Sequence, residues 1–107
     1  MLKTTIIVGG LLFASVGPMR DSDPYKGCAY YHWAQVQHNR ELRDLTSMWE
    51  HLDQLNALAG RLAVERKISR DGAHAILRRQ AEAMLAYLGT DMAVVDSAAD
   101  ACARLPR

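Results

Sequence analysis

Leu45-Thr46-Ser47-Met48-Trp49-Glu50-His51-Leu52-Asp53-Gln54-Leu55-Asn56-Ala57-Leu58-Ala59-Gly60-Arg61-Leu62 is the stretch that decides the fold. Leu45, Met48, Leu52, Leu55, Ala59 and Leu62 return every three or four positions. That spacing puts them on one face of an α-helix, and Trp49 and Leu58 widen the face. Upstream, Leu42 and Ala34 extend the stripe, and from Cys28 to Val64 there is no proline and no glycine but Gly60. The pattern predicts one amphipathic helix over 28–64, about 55 Å long at 1.5 Å per residue. The stripe also falls close to a seven-residue repeat. Arg40 with Asp44, and Arg61 with Glu65, stand four apart and are expected to pair weakly on its surface.

Downstream, Glu65-Arg66-Lys67-Ile68 reads as a turn. Ser69 can accept a hydrogen bond from the first free amides of a second helix, and Asp71 suits that helix's positive end. Ala73, Ile76, Leu77, Ala81, Met84, Leu85 and Leu88 form its apolar side. Gly89 stands where a helix-terminating glycine is wanted. Thr90 and Asp91 can open a third helix with Met92, Val95, Ala98, Ala99 and Cys102 inward, and Pro106 follows its end.

The two cysteines, Cys28 and Cys102, constrain how these helices are arranged. Three helices alternating in direction would leave them far apart, whereas a disulfide needs α-carbons within about 7 Å. If the third helix continues the second after a bend at Gly89, the arms match. Cys28 lies 39 residues before Lys67 and Cys102 lies 35 after it. The expectation is therefore all-α: a long antiparallel helical hairpin, its second arm bent at Gly89 into two helices, closed by Cys28–Cys102.

The N-terminus has a different character. Lys3 precedes an uncharged run, Thr4 to Met19, with the apolar core Ile6-Ile7-Val8-Gly9-Gly10-Leu11-Leu12-Phe13-Ala14. A basic start, a short apolar stretch and small residues make the pattern of a secretory signal. The run spans about 24 Å as a helix, less than the ~30 Å of a hydrocarbon core. Residues 1–19 are read as a signal peptide or N-terminal anchor able to contact a membrane through 4–19. Residues 20–27 are read as a linker broken by Pro24 and Gly27, and 28–107 as the helical domain. That places the protein in the periplasm or outside the cell, or anchored to the inner membrane by its N-terminus, where a disulfide persists.

The 107-residue chain has a formal net charge of +1 and is half hydrophobic. This is the composition of one small globular domain, with no field to recruit nucleic acid. His32, His38, His51 and His74 have no metal-site spacing, and neither H-E-x-x-H nor C-x-x-C occurs. No metal or other cofactor is therefore expected, although His51 and His74 would stand near one another across a hairpin. No serine lies in a G-x-S-x-G turn, and Asp96 and Asp100 share a helix face without implying a pocket. The expectation is not an enzyme, with no catalytic residue assigned.

Two features suggest binding. A two-arm hairpin cannot cover a wide apolar face, so Leu42, Trp49 and Leu58 are candidates for contact with a partner or a second copy. Tyr30, Tyr31 and Trp33 add an aromatic end suited to a partner or a membrane interface. Arg66, Lys67 and Arg70 are expected to form a basic tip. These features suggest an exported protein-interaction module of the inhibitor, immunity, lysis-regulator or assembly type. The alternatives are a periplasmic chaperone-like or metal-responsive binding protein, and a membrane-anchored accessory subunit.

Overall fold

In the computed structural model, residues 23–105 are described. The expected segment 1–19, the first linker residues and Pro106 lie outside them. Among the described residues every regular element is helical. They are α1 (Pro24–Glu41), α2 (Leu45–Arg66), α3 (Arg70–Leu88), α4 (Met92–Ser97) and α5 (Ala99–Ala103). No helix among them is long and apolar enough to cross a membrane.

The all-α class, the bend at Gly89 and the Cys28–Cys102 disulfide are present as expected, with the cysteine α-carbons 4.7 Å apart. α2 and α3 form the antiparallel hairpin around Lys67. Ser69 caps α3 by accepting from the Gly72 amide at 2.9 Å, and Asp91 caps α4 by accepting from Ala93 N at 2.9 Å. Gly89 takes φ 77° and ψ −164°, a backbone region that side chains exclude almost completely.

The first arm departs from expectation: it is two helices, not one. Residues 42–44 turn the chain, and Arg43 adopts the left-handed conformation, φ 60°. The Asp44 amide donates to Asn39 O at 2.9 Å and the Arg43 amide to Arg40 O at 3.1 Å. This is the paired closure of a helix C-terminus by a left-handed residue, here arginine where glycine is usual. Asp44 then starts α2. Its carboxylate accepts from Ser47 N at 3.1 Å and from Ser47 Oγ at 2.9 Å, the role that replaces the expected pairing with Arg40.

The fold-back lays α1 antiparallel along α2. Tyr25 Oη donates to Glu65 Oε1 at 3.0 Å at one end, and His32 meets His51 midway. The second arm folds back at Gly89 too, where the third helix was expected to continue the direction of the second, and this brings Gln35 to Asp96 and Gly27 to Ala101. Both arms of the hairpin are thus doubled over, and α1 packs against all four other helices.

Residues 24–27, expected in the linker, belong to α1 instead. Asp23 caps α1 through Tyr25 N at 3.1 Å, with Pro24 at the first helical position, which needs no amide donor. Gly27 sits inside α1, where a β-carbon would fall 2.7 Å from Ala101 Cβ. That near-contact of backbones is what seats Cys28 opposite Cys102.

The core has two parts. Leu58, Ala59, Leu62, Ala73, Leu77, Ala81 and Ala101 gather round the disulfide. Tyr30, Ala34, Met84, Val95 and Ala98 fill the other part, under the Gly89 bend. Tyr30 is fully buried and its hydroxyl donates to Gly89 O at 2.8 Å, tying α1 to the bend.

Candidate functional site

The doubled first arm leaves the N-terminal half of α2 without a full cover. Leu45 and Trp49 are 57% and 60% exposed, and Met48, Leu52 and Leu55 are half-buried. Beside them the three long helices part into a groove of about 530 Å³. Its apolar lining is Trp33 from α1, Trp49, Leu52 and Leu55 from α2, and Leu77 and Ala81 from α3. Asp53, Asn56, His74 and Arg78 supply the polar positions.

Asn56, His74 and Arg78 have side-chain partners. The Arg78 guanidinium lies 5.6 Å from the centre of the Trp33 ring and pairs with Glu82 at 3.5 Å. His74 Nε2 is 2.8 Å from Asn56 Oδ1. Trp33 Nε1 is buried and has no hydrogen-bond partner among the described residues. An apolar floor with a few fixed polar groups is the usual build of a binding site.

The expected partner-contact residues separate on this geometry. Trp33 and Trp49 line the groove. Leu42 is 63% exposed at the 42–44 turn. Tyr30 and Leu58 are core residues with no surface to offer, because the fold-back buries them. Tyr31 is half-buried and presents its ring edge-on to His32 and His51, with centroids 5.0 and 5.7 Å away. Leu52, Leu55, Leu77 and Arg78 complete the groove. The α2 stripe contained the first two, but only the packing of α3 shows that they face a cleft.

The basic tip is less basic than its sequence. Arg66 pairs with Asp23 at 3.5 Å. Arg70 donates to Asn56 O at 3.4 Å and lies across Gly60, and Lys67 terminates α2 at φ 56°. Glu65 and Tyr25 stand in the same end of the molecule.

A second cluster lies on the other side of α1. His51 faces His32, not His74 as expected, with their Nδ1 atoms 2.8 Å apart. His32 Nε2 is 3.6 Å from Cys102 Sγ. Burial, and then the neighbouring His51, depress the His32 pKa from 6.5 to about 4. Burial also lowers that of His51, against the pull of Glu50. Cys28, Cys102 and His32 place one donor atom each within 4.8 Å of one another, a metal-ligand grouping that linear spacing does not reveal. A small cleft of about 110 Å³ adjoins them, bordered by Gln54, Arg61 and Leu105.

Comparison with known proteins found no matching family model, no matching curated protein and no matching solved structure.

Proposed function

We propose that this protein is an exported binding module whose groove between α1, α2 and α3 takes an apolar segment of a protein partner. The observation that carries this reading is the exposed Trp49 beside an apolar cleft already shaped by Trp33, Leu52, Leu55 and Leu77. An aromatic anchor next to a desolvated pocket is the arrangement in which interface energy concentrates. Asp53, His74 and Arg78 give the rim directional contacts that would fix the partner's register. The exposed Arg78 guanidinium over the Trp33 ring places a cation at that rim, beside the apolar floor.

Export is supported by the N-terminal signal pattern and by the disulfide, which persists in oxidising compartments. Inhibition, immunity, lysis control and assembly all suit a module that binds through one groove. The test is copurification of partners with tagged wild type, Trp49→Ala and Leu52→Glu. A stoichiometric partner lost from both variants, with helicity unchanged, is expected. Equal recovery by all three would refute the groove as the contact surface. Concentration-dependent dimerisation that the two variants abolish would instead assign the groove to a second copy.

A further inference from the structure

Cys28, His32 and Cys102 meet in a way the disulfide alone does not require. A bridge needs only two sulfurs, yet His32 directs Nε2 at Cys102 Sγ from 3.6 Å. Thiolate and imidazole are the donor pair that zinc-class ions favour. In a tetrahedral zinc site, with bonds of about 2.3 Å to sulfur and 2.0–2.1 Å to nitrogen, a sulfur and a nitrogen stand about 3.6 Å apart. The Cys102–His32 separation already has this value, and all three donor atoms lie within 4.8 Å. We propose that in the dithiol form Cys28, Cys102 and His32 bind a zinc-class divalent cation, so that this end of the fold is closed by metal when reduced and by a disulfide when oxidised.

The neighbourhood supports ligation. A ligating histidine needs its other ring nitrogen held by an acceptor. His51 Nδ1 is 2.8 Å from His32 Nδ1. When His32 Nδ1–H donates there, Nε2 keeps its lone pair for the metal, so His51 acts as a positioning residue. The 110 Å³ cleft beside the donors leaves room for a fourth ligand. Two thiolates balance the charge of a divalent ion, so Arg61 at the cleft faces no net positive site.

The chemistry balances with a dithiol reductant. Its thiolate attacks one sulfur of Cys28–Cys102 and forms a mixed disulfide. Its second thiol resolves that intermediate and leaves as the cyclic or internal disulfide. Two electrons and two protons pass to the cysteines. Metal binding then releases the two thiol protons. The bonded sulfurs of the oxidised form cannot both act as thiolate ligands, so oxidation and metal binding exclude each other.

The test is a cobalt(II) titration of the full chain, chemically reduced, desalted and kept anaerobic. Sulfur-to-cobalt charge-transfer and tetrahedral d–d absorption are recorded with far-UV circular dichroism. One cobalt per chain with both spectral features is expected, and zinc should displace it. His32→Gln should lose both affinity and the tetrahedral spectrum, and His51→Ala should bind about 10-fold or more weakly. His38→Ala, altered outside both the cluster and the groove, should match wild type. Folding of a reduced, disordered chain on cobalt addition would also support the site. The assignment is overturned if the reduced wild type shows no thiolate–cobalt absorption. It is equally overturned if His32→Gln binds as tightly as wild type with the same spectrum.

Discussion

At the scale of single residues, Arg43 holds a left-handed backbone in which its β-carbon crowds the following carbonyl. Glycine has no such penalty, so Arg43→Gly should raise stability by about 0.5–1 kcal/mol, measured by urea unfolding. Asp44→Ala removes the cap that starts α2 and should lower the unfolding midpoint in the same assay. Titration at His32 gives a second prediction. Its folded pKa near 4 lies below the ordinary 6.5 because burial and then His51 disfavour the charged ring. Between those values the unfolded chain holds a proton that the folded chain does not. Folding stability should therefore fall as pH drops from about 6.5 to 4, and His51 adds to the loss in the same direction. Comparing unfolding midpoints of oxidised wild type and His32→Gln at pH 7 and pH 4.5 checks this. A smaller pH dependence in the variant is expected.

At the scale of elements, α3 and α4 were legible because their periodicity and caps agree: Ser69, Asp91 and Gly89 sit where the stripes begin or end. The break at 42–44 was not. Arginine occupies the left-handed position, and Leu42 and Leu45 carry the apolar spacing straight across the turn. The one local signal was Asp44 three residues before Ser47, a capping pair that also reads as a surface charge on a continuous helix. α1 was misread for a different reason. It is covered by four helices, so Cys28, Ala29 and Tyr30 are buried in succession and no single stripe marks its inner face. Without that fold-back, neither the groove nor the histidine pair can be placed, because both join α1 to the middle of α2. The small residues around both cysteines, in Gly27-Cys28-Ala29 and Ala101-Cys102-Ala103, did carry information. They allow α1 and α5 to approach until the cysteine α-carbons are 4.7 Å apart. Gly27→Leu should force them apart and destabilise the fold by about 1–3 kcal/mol, with slower disulfide formation on reoxidation as the second readout.

At the scale of the whole molecule, one covalent bond closes a loop with a sequence separation of 74. Chain entropy assigns such a closure ~4 kcal/mol, a large share of the stability of a small domain. Reduction without metal should lower the melting temperature strongly, while the oxidised chain should resist it. The bond also sets the groove indirectly. It anchors the start of α1, which carries Trp33 towards α3 and forms one wall of the cleft. The groove is thus the proposed contact surface. The direct measurement is site-specific photocrosslinking in intact cells of the native host, with the reactive residue at position 49 or at position 87. Tyr87 is 78% exposed and does not line the groove. A discrete adduct at position 49, absent at position 87 and lost with Leu52→Glu, is the predicted result. Equal labelling at both positions, or an adduct at position 49 unaffected by Leu52→Glu, would contradict it.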